Sequence, residues 1–371
     1  MRNDCRQIFG ESRDDFTGEP FEMMWFFGED KHKPTKKEDQ MSTNFKPEDV
    51  VFHREAYLAK LTEMRSKDYP QLTKKEVVGR VNLHHRRSNA YTRDGKSLVS
   101  FVVNGTEIKN DILKAIDLLG GFAKSLKPQD RILLKPNFNS DDPPPGSTAL
   151  DFLIAVIGLL REHGYSKISV GESSGRPWVP STKVFEKAGL SAAMADMKIP
   201  LLDFDQSKYI DVPIHGDYLD VIAYPKDLER FDKIIYLPTM KTHYLAGFSM
   251  SLKLTVGMTH LFDRFLLHGD NNMFVSQKAS EMNLPIKPDL IVMDGRISFI
   301  SGGPAIGLAV HPGVILASGD PVALDVQGIR LLQNYAAVNH LTCDAWDLPQ
   351  IKTAVKHGLG IQNDGDLLLI R

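Results

Sequence analysis

Cysteine is nearly missing from this chain, which carries two in 371 residues, Cys5 and Cys343. Two thiols so far apart build no disulfide framework, and one chain cannot assemble the four thiolates of an iron-sulfur or structural zinc site from them. An iron-sulfur cluster is therefore disfavoured, and a reducing, cytoplasmic setting is expected. Long apolar runs are missing too. No stretch approaches the ~20 apolar residues of a spanning helix. The cluster Phe21-Glu22-Met23-Met24-Trp25-Phe26-Phe27 is short, interrupted by Glu22 and preceded by acidic rather than basic residues, so it reads as neither anchor nor leader. An excess of one charge is also lacking: Lys and Arg number 45 against 47 Asp and Glu, a net charge of -2. That balance gives no field for a polyanion, and nucleic acid is disfavoured as a partner. Finally, Ser301-Gly302-Gly303-Pro304-Ala305-Ile306-Gly307 fits neither the dinucleotide fingerprint nor the P-loop, which leaves a nucleotide cofactor without support.

What is present suits a large globular core, with 42% hydrophobic and 25% charged residues. Residues 1–95 are rich in charge and hold one clear amphipathic helix near Asp49 to Arg65, so they read as a partly ordered extension. Its basic run His84-His85-Arg86-Arg87 reads as solvated surface before phosphate contact. Residues 96–371 read as an α/β domain. Strands are expected at Leu98–Val103, Arg131–Leu134, Lys167–Val170, Pro200–Phe204, Lys233–Leu237, Asp289–Met293 and Val314–Ala317, most apolar enough for burial on both faces. One-sided helices are expected at Glu107–Leu126, Ala149–His163, Ser181–Lys187 and Pro321–Gln333, with Gly120-Gly121 and Gly164 as breaks or stops. The alternation predicts a doubly wound, mostly parallel, Rossmann-like sheet with helices on both faces.

In such sheets ligands bind beyond the carboxyl ends of the strands. Five expected strands end in polar or glycine-bearing text: Lys135-Pro136-Asn137, Gly171-Glu172-Ser173-Ser174-Gly175, Lys241-Thr242-His243, Asp294-Gly295 and Ser318-Gly319-Asp320. Each has a plain structural reading. Lys135-Pro136-Asn137 suits a turn as well as an anion contact. The Glu172 to Ser174 exit suits a connection, or backbone N–H groups aimed at a carboxylate or phosphate. Asp320 precedes Pro321, where a helix N-cap is expected. With Asp294 and Asp325 it also makes a carboxylate set suited to Mg²⁺.

The densest polar stretch runs from Lys241 to Asp270 and includes His243, Ser249, Ser251, Lys253, His260, Asp263, Arg264 and His268. Its plain reading is a helix over Ser249–His260 with Leu252, Val256 and Leu261 inside. Against that stands Lys253, set among Leu252, Leu254, Val256 and Met258, where a lysine either snorkels or is held for a purpose. Three histidines near one lysine offer metal ligands or proton-transfer groups.

Taken in order, Leu134-Lys135-Pro136-Asn137, Gly171 to Gly175, Lys241-Thr242-His243, Ser251-Leu252-Lys253, Lys287-Pro288-Asp289 to Asp294-Gly295, Gly303-Pro304 with Gly307, and Leu316-Ala317-Ser318 to Asp320-Pro321-Val322-Ala323-Leu324-Asp325 resemble the domain of unknown function 362 family over residues 97–371. Many members look like iron-sulfur proteins with a ferredoxin-like cysteine cluster, a pattern from which this chain departs. More distantly, His243 to Ser249 followed by Lys253 is similar to a stretch of nickel-pincer lactate racemases. That resemblance implies a site histidine at His243, a cofactor-bearing lysine at Lys253 and a nickel-binding histidine at His268. The paired glycines before the family's lysine are absent here, where Met250-Ser251 stand, and its Pro-Gly is reduced to Val256-Gly257.

The leading expectation is an enzyme on a small anionic metabolite. His243 serves as acid/base, Lys253 as electrostatic or covalent group and Lys241 as a further catalytic group, with Lys135, Asn137, Glu172, Ser173, Ser174, Asp294 and Asp320 binding substrate. Two alternatives remain open: a racemase or epimerase with a divalent metal at His243 and His268, and a non-catalytic accessory protein that docks through residues 1–95. A homo-oligomer is compatible with all three.

Overall fold

A computed structural model describes residues 77–371 except 82, 84–86, 176–178, 269 and 271. The apolar cluster at Phe21–Phe27, the helix expected near Asp49 to Arg65 and most of the His84 to Arg87 run lie outside the described residues. Residues 77–95 join the fold. Their strand β1 (Val77–Arg80) pairs in parallel with a later strand, β2 (Thr92–Arg93) forms a hairpin with β3 (Lys96–Val103), and Tyr91 is fully buried.

Apolar runs with the period of a doubly buried strand build the central sheet. Along the chain come α1 (Ile108–Leu119), β4 (Ile132–Pro136), α2 (Leu150–Glu162), β5 (Ile168–Glu172), α3 (Ser181–Lys187), α4 (Leu190–Asp196) and β6 (Leu201–Asp203). There follow β7 (Tyr209–Pro213), β8 (Val221–Pro225), β9 (Lys233–Leu237), β10 (Thr239–His243), β11 (Gly247–Ser249), α5 (Ser251–Leu254), α6 (Leu261–Arg264) and α7 (Val275–Glu281). The chain closes with β12 (Leu290–Gly302), β13 (Gly307–Val310), β14 (Val314–Ser318), α8 (Pro321–Gln333), α9 (Pro349–Lys356) and β15 (Leu367–Ile370).

The main sheet runs β15-β3-β14-β12-β9-β4-β5-β6, with β2, β10, β11 and β13 attached off this path. It is mostly parallel but mixed. On the main path β14 alone runs against its neighbours β3 and β12, while β15-β3 and β12-β9-β4-β5-β6 pair in parallel. A small sheet of β1, β7 and β8 stands apart.

Alternate residues divide between two apolar clusters, as the pleat requires. On β9, Ile234 and Tyr236 join one cluster with α5, α8 and α9, and Ile235 and Leu237 join the other with α1, α2, α3 and α4. The expected helix Glu107–Leu126 ends earlier, because Gly120 and Gly121 both adopt positive φ and stop α1 at Leu119. The Lys241-Thr242-His243 turn is a strand. Pro238 breaks β9, its carbonyl accepts from Asp294 N, and β10 then pairs with β11 and with the far half of β12. The helix considered over Ser249–His260 is also shorter, a single turn at α5 followed by a 3₁₀ turn at Thr255–Met258.

Candidate functional site

β4, β5 and β10 deliver their polar ends to one place. Lys135 and Glu172 are fully buried and form an ion pair of 2.7 Å. Glu172 also accepts from the backbone N–H groups of Phe138 (2.7 Å) and Ser173 (2.8 Å), and Lys135 donates to the Pro136 carbonyl at 2.7 Å. Burial lowers the Lys135 ammonium pKa while the Glu172 charge opposes the shift. Gly257 lies against the pair: a Cβ there would overlap Glu172 Oε1 and stand 2.7 Å from Lys135 Nζ. Ser173 Oγ donates to the Gly257 carbonyl at 2.9 Å. Buried Arg264 binds Ser173 Oγ, the Ser174 carbonyl at 2.6 Å and the Thr259 carbonyl at 2.8 Å. Arg264 therefore ties the β5 exit to α6, a role that sequence reading did not assign.

Lys241 is likewise fully buried, and its three N–H groups match three carbonyls, those of Pro145 (3.0 Å), Gly146 (2.5 Å) and Pro304 (3.2 Å). Burial and then the Lys253 charge push it down to about 7, against carbonyls that an ammonium satisfies better than an amine. Asn137 shares the Gly146 carbonyl at 3.3 Å, and its own backbone N–H donates to Thr148 Oγ1 at 2.8 Å.

His243 Nδ1 accepts from two backbone N–H groups, Leu245 and Ala246, each at 3.2 Å. Burial first, then Lys253, Lys241 and His268, hold its pKa well below the ordinary value, so the ring is neutral. With Nδ1 an acceptor, the single ring proton sits on Nε2. In this form His243 keeps one N–H, at Nε2, for a partner outside its own turn. Tyr244 stacks on it at 5.5 Å between centroids.

Lys253 is half-buried near the end of α5 and has no hydrogen bond or ion pair among the described residues. Burial first and then Arg264 push its amine down to about 8. Its short helix is held from α8. Buried Asp325 accepts from Ser251 N (2.9 Å), Ser251 Oγ and Leu252 N (2.9 Å), and burial raises its carboxyl to about 7. His268 is exposed, with Nδ1 at 2.5 Å from Asn272 Oδ1.

The two remaining candidates lie elsewhere in role or place. Asp294 is engaged by Arg296, which also binds Asp151. Asp320 caps α8, accepting from Val322 and Ala323 at 3.0 Å each, and takes Ser97 Oγ and Ile361 N on its other oxygen. Because β14 is antiparallel, its carboxyl end meets the opposite edge from the exits of β4, β5 and β9, beside the start of β12. Asp320 therefore stands away from the lysine cluster.

Family-implied cofactors fit this donor set poorly. Two cysteines cannot ligate a four-thiolate cluster. A bare divalent cation at His243 would face the charges of Lys241 and Lys253, with Nδ1 already committed. Among the described residues, three metal-type ligand atoms come within 4.8 Å only at Asp217, Glu281 and His357. There Glu281 already receives the N–H groups of Asp217, Tyr218 and Leu219.

Fold and site together define an α/β protein with a basic cluster at the parallel strand exits and one uncommitted amine within it. The chain belongs to the family described as Domain of unknown function (DUF362), whose match spans residues 132–330, more than half of its length. It is similar to a thylakoid-associated protein of Synechocystis sp., 29% identical over 225 residues, which cover 59% of this chain and 68% of that protein. No helix among the described residues is long and apolar enough to cross a membrane.

Proposed function

We propose that this protein is a cytoplasmic enzyme acting on a small anionic metabolite in the crevice at the carboxyl ends of a doubly wound sheet. One observation carries the reading. Lys241, Lys135 and Arg264 are each bound by two or more protein oxygens, whereas Lys253 beside them is half-buried and meets no partner among the described residues. Crowded positive charge around an open amine favours an anion, and such perturbed clusters are commonest at functional sites. Lys253 contacts the anion, His243 donates to it through Nε2–H, and Lys135, Glu172, Ser173, Ser174 and Lys241 shape the walls.

The test is calorimetric titration of the full chain with inorganic phosphate and with lactate, alongside mass spectrometry of copurifying small molecules. Lys253→Met is expected to abolish binding and His243→Phe to weaken it about ten-fold. Unchanged binding in both variants removes the reading. A second reading, a non-catalytic accessory protein, is favoured by the description of the Synechocystis relative, which names an association and no reaction. Intact mass and nickel content decide the racemase alternative, since an adduct on Lys253 together with bound nickel would establish it in place of the leading reading.

A further inference from the structure

The basic groups around the strand exits differ in what they are free to do. Lys241 spends its three N–H groups on the Pro145, Gly146 and Pro304 carbonyls. Lys135 is held by Glu172 and the Pro136 carbonyl, and Arg264 by the Ser174 and Thr259 carbonyls and Ser173 Oγ. Lys278, on α7, is bound to the Leu266 carbonyl at 2.7 Å and to Asp270 at 2.8 Å. Lys253 alone in this group has no such bond among the described residues, yet it is half-buried rather than extended into water. Its backbone is also fixed, because Asp325 holds the N–H groups of Ser251 and Leu252.

A lysine kept for packing snorkels to water, and one kept for structure is paired. One held rigid, half-covered and unpaired among other cations matches neither case. It matches the environment that loosens an amine's hold on its proton and so brings its lone pair within reach of an electrophile.

We propose that Lys253 is a covalent nucleophile that condenses with the carbonyl carbon of a small oxo acid. This inference deepens the anion-site reading and rests on it. The committed charges of Lys241 and Arg264 supply the field that favours the carboxylate. The Nε2–H of His243 is the donor for the carbonyl oxygen.

The lone pair of the Lys253 amine forms a C–N bond to the carbonyl carbon as the C=O π pair moves onto oxygen. A proton passes from nitrogen to that oxygen, giving the carbinolamine. The hydroxyl then leaves with a second proton as water while the nitrogen pair closes the C=N bond. Amine and carbonyl become imine and water, with no net oxidation or reduction.

The experiment incubates the full chain with pyruvate and, separately, glyoxylate, adds sodium borohydride to reduce any C=N bond, and maps adducts by peptide mass spectrometry. The expected result is an adduct on the Lys253 peptide about ten-fold above that on exposed Lys352 and Lys356, suppressed by excess inorganic phosphate. It should be absent from that peptide in Lys253→Arg, which keeps the charge but forms no imine. Should Lys253→Arg fail to fold, the site map on the native chain decides alone. No adduct on Lys253 with either acid, or labelling equal to that of the surface lysines, overturns the inference. If phosphate still binds in that case, the anion site stands and the covalent step falls. If phosphate does not bind either, both fall.

Discussion

Lys241 and Lys253 sit on neighbouring elements at the same end of the sheet, and their surroundings are opposites. Around Lys241 every donor has an acceptor, and the side chain ties the Pro145-Gly146 and Pro304 turns to β10. Around Lys253 the amine is left open while its helix is clamped from behind by Asp325. Two lysines withdrawn from water, one fully and one by half, thus differ in how their amines are matched. Matched polar atoms mark architecture, and an unmatched one on a rigid support marks a place kept for something else.

Four substitutions sharpen or break that contrast, and urea unfolding reads each of them. Lys241→Met should have the largest effect, about 3 kcal/mol lost, because three carbonyls are left without donors; a loss under about 1 kcal/mol would end the contrast. Gly257→Ala should cost about 2 kcal/mol, since the new methyl overlaps Glu172 Oε1 and forces the buried ion pair to shift.

Asp325→Asn should cost about 1 kcal/mol at pH 5 and less at pH 8. The Asp325 carboxyl is raised by burial to about 7, against an unfolded value of about 4. Between those values the unfolded state has released the proton and the folded state has kept it, so its contribution to stability falls as pH rises from about 4 to about 7. The asparagine variant lacks that slope, and the gap to the native chain narrows across the window.

Lys253→Met should change stability least, by under about 1 kcal/mol, and in the stabilising direction at pH 7. Its amine, lowered to about 8 from an unfolded value of about 10.4, detracts from stability below pH 8 and regains it as pH rises toward 10.4. The same variant should lose phosphate binding entirely, which separates it from the other three.

The framework of the sheet was legible because burial on both faces writes a continuous apolar run. Lys233–Leu237, Ser181–Lys187 and Pro321–Gln333 fall where the pattern places them, and β4, β5 and β14 differ by a residue or two at their ends. Strand β7 was missed because it alternates around Asp211 and Pro213, and β8, a short run that ends at Pro225, went unread beside it; the two pair in a small separate sheet. β10 was read as a turn because Lys241, Thr242 and His243 look solvent-loving; their burial depends on carbonyls contributed by loops near residues 145 and 304, which no local pattern reveals.

The site followed the same logic. Lys135, Glu172, Lys241 and His243 were picked from strand ends and Lys253 from its apolar neighbours, and the fold brings Lys253 close enough to Lys241 and His243 for its charge to act on both. Asp320 was picked by the same rule, which presumes a strand running with its neighbours, and β14 runs the other way. Arg264 went unassigned because its partners are backbone carbonyls of Ser174 and Thr259. Asp325 was read as a carboxylate for Mg²⁺, and only the packing of α8 on α5 shows it capping the helix that carries Lys253.

The place of β3 has a consequence for how the protein is made. It lies between β14, whose residues emerge some two hundred positions later, and β15, which ends one residue before the end of this sequence. Its buried run from Leu98 to Val102 is therefore synthesised early and must wait for both neighbours, while β4, β5 and β6 can already pair in chain order. During synthesis the β3 edge is the part of the chain that most needs shielding from other nascent strands.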